Sequence, residues 1–357
     1  MTEVDLFLAE RRRRSDERLA AVKNALLREI PEAERVELLG HHTCIYAVGS
    51  GGRGELSRYS DLDLFLVKQG SPRRVDEIRL QSAVIRALRS EGFEDPSNDA
   101  SFLKLHAAEH LIERLGEPSD DTENTFTVRM LLLLESRPLL GDLAHERLAK
   151  KALDAYWKNV EAHREDYLPI VFFNDIIRYW RMMLLNYESK TADKQRRVER
   201  MFAAGPSPER TRAELDLEAD KNLRSYKLRF SRCLLCYSSV AYLMAEAYRT
   251  QTEQKRAHVT REVVDHMVML PPMDRLREAI DKAKTAPGVT EIGRELTALY
   301  AQFLRDTDRS KNELHAIFVS RRDRKPLFNA AKEFGEKMYD FIMALGHNNP
   351  MFRYLVV

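Results

Sequence analysis

The chain has 357 residues, 44% apolar and 32% charged, which excludes a disordered polymer and allows roughly two or three domains with a sizeable core. A formal net charge of +2 neither announces nor rules out nucleic acid, because local patches outweigh the total. Three cysteines argue against a disulfide framework and fit a reducing, cytoplasmic setting; no apolar run approaches the roughly 20 residues of a membrane span, and the acidic, arginine-rich start lacks a signal peptide's apolar segment.

Residues 3–29 read as a helix, because Val4, Leu6, Phe7, Leu8, Leu19, Val22, Leu26 and Leu27 recur at helical spacing. Arg11–Arg14 interrupts that pattern and is read either as a solvated face or as a contact for RNA or an acidic partner. Pro31 ends the segment. An apolar run, Thr43–Val48, predicts a strand. It leads into Gly49–Ser50–Gly51–Gly52–Arg53–Gly54–Glu55, which has four glycines within six residues. A short helix is expected next, and then a second strand, Leu62–Val67, with Asp61 and Asp63 at its entry.

The chemistry of this stretch is specific. Glycines let a backbone come close to a bulky group and expose N–H groups suited to phosphate. Asp61 and Asp63 are two apart, so on a strand both carboxylates leave the same face. Two carboxylates beside a phosphate cradle are the arrangement that holds Mg²⁺ against a nucleotide.

Gly49–Ser50–x–x–Arg53–Gly54–Glu55–x₄–Ser60–Asp61–x–Asp63–Leu64 resembles the signature of the nucleotidyltransferase superfamily that includes DNA polymerase β. The Arg-Gly-Glu and Ser-Asp-x-Asp-Leu portions are most similar to the uridylyltransferase acting on the nitrogen regulator PII and its stand-alone relatives. Leu134–Asp142 resembles a helix end that follows the catalytic sheet in that subfamily, so the likeness covers roughly residues 36–145. It implies an α+β fold: a small mixed β-sheet nucleotidyltransferase domain over residues 31–145, after an N-terminal helix over 1–30, and a large all-helical domain over 146–357 with a sub-boundary near 250–272.

The resemblance also implies a Mg²⁺-dependent transfer of a nucleoside monophosphate from a nucleoside triphosphate, ATP for example, to a hydroxyl, with release of pyrophosphate. Gly49, Ser50 and Gly54 would bind the nucleotide. Arg53 would either neutralise its charge or tie down the turn through Glu55. Asp61 and Asp63 would be catalytic and hold the metal. The family's third carboxylate usually comes from a neighbouring strand. Here the strand expected over Phe102–His106 carries Lys104, and the nearest acid is Asp99, read either as that third acid or as a turn residue. The acceptor is a protein in preference to RNA, with a small molecule third. The alternative is a nucleotide- or RNA-binding module, or a toxin–antitoxin component, with the same fold and little turnover.

Pro72 predicts the start of a helix running to about Glu91, with Gly92 as its stop. From Thr125 on the pattern is helical: 124–138, 144–167, 170–189, 219–249, 260–268, 273–284, 290–306, 310–320 and 327–345, with no strand expected after residue 106. A charged connection spans 190–218. Asn174, Arg178 and Arg181 share one helix face, either a polar strip toward a cleft or a salt-bridge network. Lys221–Arg232 holds five cations in twelve residues and is expected to open a helix. Cations are unfavourable at that end unless an anion is bound, so Lys227 and Arg229 are expected to reach the triphosphate. Cys233 and Cys236 lie in an apolar helix and read as buried thiols rather than zinc ligands. Asp265 precedes His266, the reverse of the phosphohydrolase signature of the large uridylyltransferases, so the resemblance implies only the transfer half of that chemistry.

Overall fold

The computed structural model describes residues 2–96, 103–157, 160, 166–203, 205 and 207–355. By contacts the chain divides into two units: Met1–Pro169 with Thr260–Pro272, and Ile170–Val259 with Met273–Val357.

The first unit begins with α1, Glu3–Glu29, opened by a capping box in which Thr2 and Asp5 satisfy each other's backbone N–H groups. A short α2, Glu32–Leu38, leads to β1, Thr43–Val48, which is buried throughout. One helical turn, α3, Gly49–Gly52, and an irregular loop separate it from β2, Asp63–Lys68. The short helix expected after the glycines is therefore the glycine stretch itself. α4, Arg74–Ser90, ends where Gly92 turns to φ +72° and the Phe93 N–H closes onto the Leu88 carbonyl at 2.9 Å.

β3, Leu105–Ala107, precedes α5, Ala108–Glu113, α6, Pro118–Thr122, and α7, Thr125–Glu135. β4 follows at Arg137–Leu140, where the sequence pattern had no strand, and then α8, Asp142–Asp154. The four-residue β4 hides in a helical context because it is short and contains Pro138, which as a sheet-edge residue needs no ladder N–H.

The sheet order is β3-β2-β1-β4, with β1 antiparallel to both neighbours and β2 parallel to β3. One sheet face, with Ile45, Ala47, Leu62, Leu64 and Leu66, packs on Leu19, Val22 and Leu26 of α1 and Leu80, Val84 and Ala87 of α4. On the other face the Tyr46 ring lies 5.8 Å from Phe65 and 5.4 Å from His145 of α8. The chain returns to this unit at α12, Arg261–Met269, whose Arg261 bonds Asp154 Oδ1 at 2.7 Å and the Lys150 carbonyl at 3.0 Å.

The second unit is helical among the described residues: α9, Ile170–Met201; α10, Pro208–Lys227; α11, Cys233–Gln254; α13, Pro272–Lys282; α14, Val289–Asp306; α15, Lys311–Val319; and α16, Arg321–Gly346. A π-helical turn, Leu228–Arg232, joins α10 to α11. Phe230 stacks on Phe303 at 4.8 Å and meets Phe334 at 4.8 Å, which anchors that turn in the core. Much of the charged stretch expected to be a connection is helix, since α9 extends to Met201 and α10 starts at Pro208 behind a Ser207 cap. α16 starts at Arg321 behind a Ser320 cap rather than at 327, and Pro326 sits inside its first turns. Cys233 and Cys236 are buried, as expected, and burial pushes the Cys233 thiol up to about 12. No helix among the described residues is long and apolar enough to cross a membrane.

Candidate active site

The turn after β1 is built by three glycines with different duties. Gly49 has φ +63°, a left-handed conformation that side chains resist. A Cβ placed on it would stand 3.3 Å from Asp63 Oδ2, because the ladder sets Val48 opposite Asp63. Gly52 has no room at all: its Cβ would lie 1.6 Å from the Glu135 carbonyl oxygen. At Gly51 the Cβ would meet Leu62 Cδ1 at 2.5 Å. The sequence reading gave all the glycines to an approaching ligand. The space at Gly51 and Gly52 is taken by the protein itself, and Gly49 is the one that faces a carboxylate.

Arg53 is 8% exposed and forms ion pairs with Glu55 Oε2 at 2.7 Å and Glu135 Oε2 at 2.6 Å. Of the two readings open for Arg53, this geometry is the tie: it fastens the turn to the end of α7. Gly54 has φ +71°, and the Glu55 N–H closes the turn onto the Ser50 carbonyl at 2.8 Å. Ser50 is half-buried on α3.

α1 braces the loop that follows. Arg11 Nε donates to the Glu55 carbonyl at 2.9 Å, Ser15 Oγ accepts the Leu56 N–H at 3.2 Å, and Arg18 donates to the Ser57 carbonyl. Arg11, Ser15 and Arg18 are spaced i, i+4, i+7, one face of the helix. That spacing is the signal of this brace in the sequence. Arg11 is buried, so the reading of the arginine run as a solvated face is corrected there. Arg13 and Arg14 do lie exposed and pair with Glu10 at 2.8 and 2.7 Å. Glu135, the other residue the sequence reading missed, lies within the segment Leu134–Asp142, but nothing in a helix end announces a partner 82 positions away.

A serine turn delivers the two aspartates. Ser60 Oγ accepts the Ser57 N–H at 3.0 Å, and Ser57 Oγ accepts the Tyr59 N–H at 3.1 Å. Asp61 is exposed, Leu62 is buried, and Asp63 is exposed at the first position of β2. This alternation is that of an extended chain, with both carboxylates on the solvent side while Leu62 enters the core. Carboxylate oxygens suit Mg²⁺. Among the described residues no group of three or more His, Cys, Asp or Glu side chains is placed to hold a metal. The fit to Mg²⁺ therefore rests on Asp61 and Asp63.

Asp99 lies outside the described residues. The neighbouring strand β3 is Leu105–His106–Ala107, with Lys104 just before it, and offers no acid. His106 faces Phe65 at 5.8 Å; burial, with Lys104 adding to it, pushes its pKa down to about 4, so it is a neutral wall at pH 7.

The structure thus brings Gly49, Ser50, Arg53, Gly54, Asp61 and Asp63 to one end of the β1–β2 pair. Lys227 and Arg229 belong to the second unit. Both are exposed, with Lys227 the last residue of α10 and Arg229 in the π turn, its guanidinium 5.7 Å over the Phe328 ring. The helix starts at Pro208 and continues through the π turn into α11, so these cations sit mid-helix, far from the N-terminal end where the dipole would disfavour them. The dipole argument for an anion there is corrected accordingly. On α9, Asn174 and Arg181 are exposed, and Arg178 pairs with Asp175 at 3.6 Å.

No protein-family model matches the chain, and no curated protein or solved structure is significantly similar to it.

Proposed function

We propose that the first unit is a Mg²⁺-dependent nucleotidyltransferase, as the motif resemblance implies. The observation that carries this reading is that a Cβ on Gly49 would stand 3.3 Å from Asp63 Oδ2, with Asp61 exposed two residues earlier. Asp61 and Asp63 would hold Mg²⁺, which when bound supplies charge neutralisation at the phosphates. Ser50 Oγ donates a hydrogen bond to a phosphate oxygen, and Gly49 leaves the approach open. Arg53 acts at one remove, by fixing the turn. The acceptor hydroxyl attacks the α-phosphorus in line, the new O–P bond forms as the α–β bridge breaks, and pyrophosphate leaves with the nucleophile's proton passing to solvent. The acceptor is a protein hydroxyl, because the uridylyltransferase that the motif resembles modifies a protein.

The second reading, a nucleotide- or RNA-binding module, is favoured by one observation: the described residues provide two carboxylates and no third. Incubating the protein with labelled nucleoside triphosphates, Mg²⁺ and cell lysate separates the readings. A labelled protein band supports the proposal, a labelled RNA band moves the acceptor, and binding without transfer selects the module. The double variant Asp61→Asn, Asp63→Asn is expected to abolish labelling with an unchanged circular dichroism spectrum. Transfer at the normal rate in that variant refutes the site.

A further inference from the structure

At the opposite end of the same strand pair lies a cavity of about 200 Å³. Its floor is Cys44 and Val67, which face each other across the ladder, four rungs from Val48 and Asp63. That is roughly 13 Å along the strands, so this is a separate place from the candidate active site. Leu148 and Ile112 continue the apolar surface.

The walls carry opposite charges. α5 contributes Glu109 and Glu113, and α8 contributes Arg147 and Lys151, each pair four residues apart on one helix face. The two walls do not neutralise each other. Glu109 accepts the Gly70 N–H at 3.0 and 3.1 Å, and Arg147 donates to the His41 carbonyl at 2.5 Å. Glu113 and Lys151 are exposed and make no hydrogen bond or ion pair among the described residues. An apolar floor between an anionic and a cationic wall suits a ligand with both charges on a short apolar body. A lone anion would face two carboxylates, and a lone cation two cations. A nucleoside triphosphate is too large and too negative for it.

We propose that this cavity binds a free aliphatic α-amino acid, its ammonium toward Glu113, its carboxylate toward Lys151, and its side chain on Cys44, Val67 and Leu148. Binding is reversible and non-covalent. Burial pushes the Cys44 thiol up to about 12, so it carries no thiolate at neutral pH. The site is independent of whether the first unit transfers nucleotides.

Isothermal titration of the full chain with L-leucine, L-valine and L-methionine tests it. At least one of the three is expected to bind saturably. For that amino acid, the N-acetyl derivative, which lacks the ammonium, and the amide, which lacks the carboxylate, are each expected to bind at least tenfold more weakly. Lys151→Glu and Glu113→Gln, both at exposed positions that leave folding intact, are each expected to weaken binding at least tenfold. No saturable heat from any of the three amino acids overturns the proposal. So does undiminished affinity for the single-charge analogues, or undiminished affinity in the two variants.

Discussion

Replacing Arg53 with alanine removes the guanidinium that ion-pairs with two carboxylates, Glu55 and Glu135, that are nearly or wholly out of water. Removing one member of a buried ion-pair network costs about 3–5 kcal/mol, because the remaining charges lose an ion pair but stay desolvated. Urea denaturation of Arg53→Ala should show a loss of that size. A loss below about 1 kcal/mol, the range of an exposed pair, would mean the guanidinium is not a structural tie. Gly49 and Gly70 allow a cleaner comparison. Both have positive φ, +63° and +84°, but a Cβ at Gly70 meets nothing within 4 Å. Alanine at either should cost about 1–2 kcal/mol in backbone strain. Only Gly49→Ala should also weaken triphosphate binding, by tenfold or more, measured by equilibrium dialysis with labelled nucleotide. Equal affinity in the two variants would remove Gly49 from the nucleotide site.

At the scale of elements, α1 does two jobs at once: its apolar stripe seals one face of the sheet, and its polar edge holds the loop at 55–57. Ser15→Ala leaves the buried Leu56 N–H without its acceptor, a loss of about 1–3 kcal/mol. The readout is hydrogen exchange at Leu56, which should speed up more than exchange in α4. Uniform protection across both would show that the serine is dispensable. The strand pair, the glycine turn, α1 and α4 were legible in the sequence, because each is written locally as a period, a cap or a glycine. β4 and the Arg53–Glu135 tie were not, because they exist only once distant segments meet. The start of α10 was misread for a different reason. Its first half is so charged that it carries no apolar period, and the cap that fixes its origin is the single Ser207–Pro208 pair.

For the molecule as a whole, two histidines, His145 buried and His106 half-buried, set an acid limit. Burial pushes His106 and His145 down to about 4, against roughly 6.5 in an unfolded chain. Between those values the unfolded chain takes up protons that the folded chain refuses. Stability is therefore complete above about pH 6.5, falls as pH drops toward 4, and levels off below, each histidine accounting for roughly 3 kcal/mol. Denaturation midpoints at pH 7, 5.5 and 4.5 should fall in that order, and a His106→Gln, His145→Gln variant should show a flatter profile. An equal slope in the variant would assign the acid sensitivity elsewhere. The path of the chain has its own consequence. The first unit needs α12, whose Val264 and Met267 are fully buried and whose Arg261 grips α8, yet Ile170–Val259 intervenes. On a ribosome adding roughly 5–20 residues per second, α12 emerges on the order of ten seconds after Pro169. Throughout that interval the nascent first unit lacks α12 and the grip of Arg261 on α8, so its completion is timed by the synthesis of Ile170–Val259.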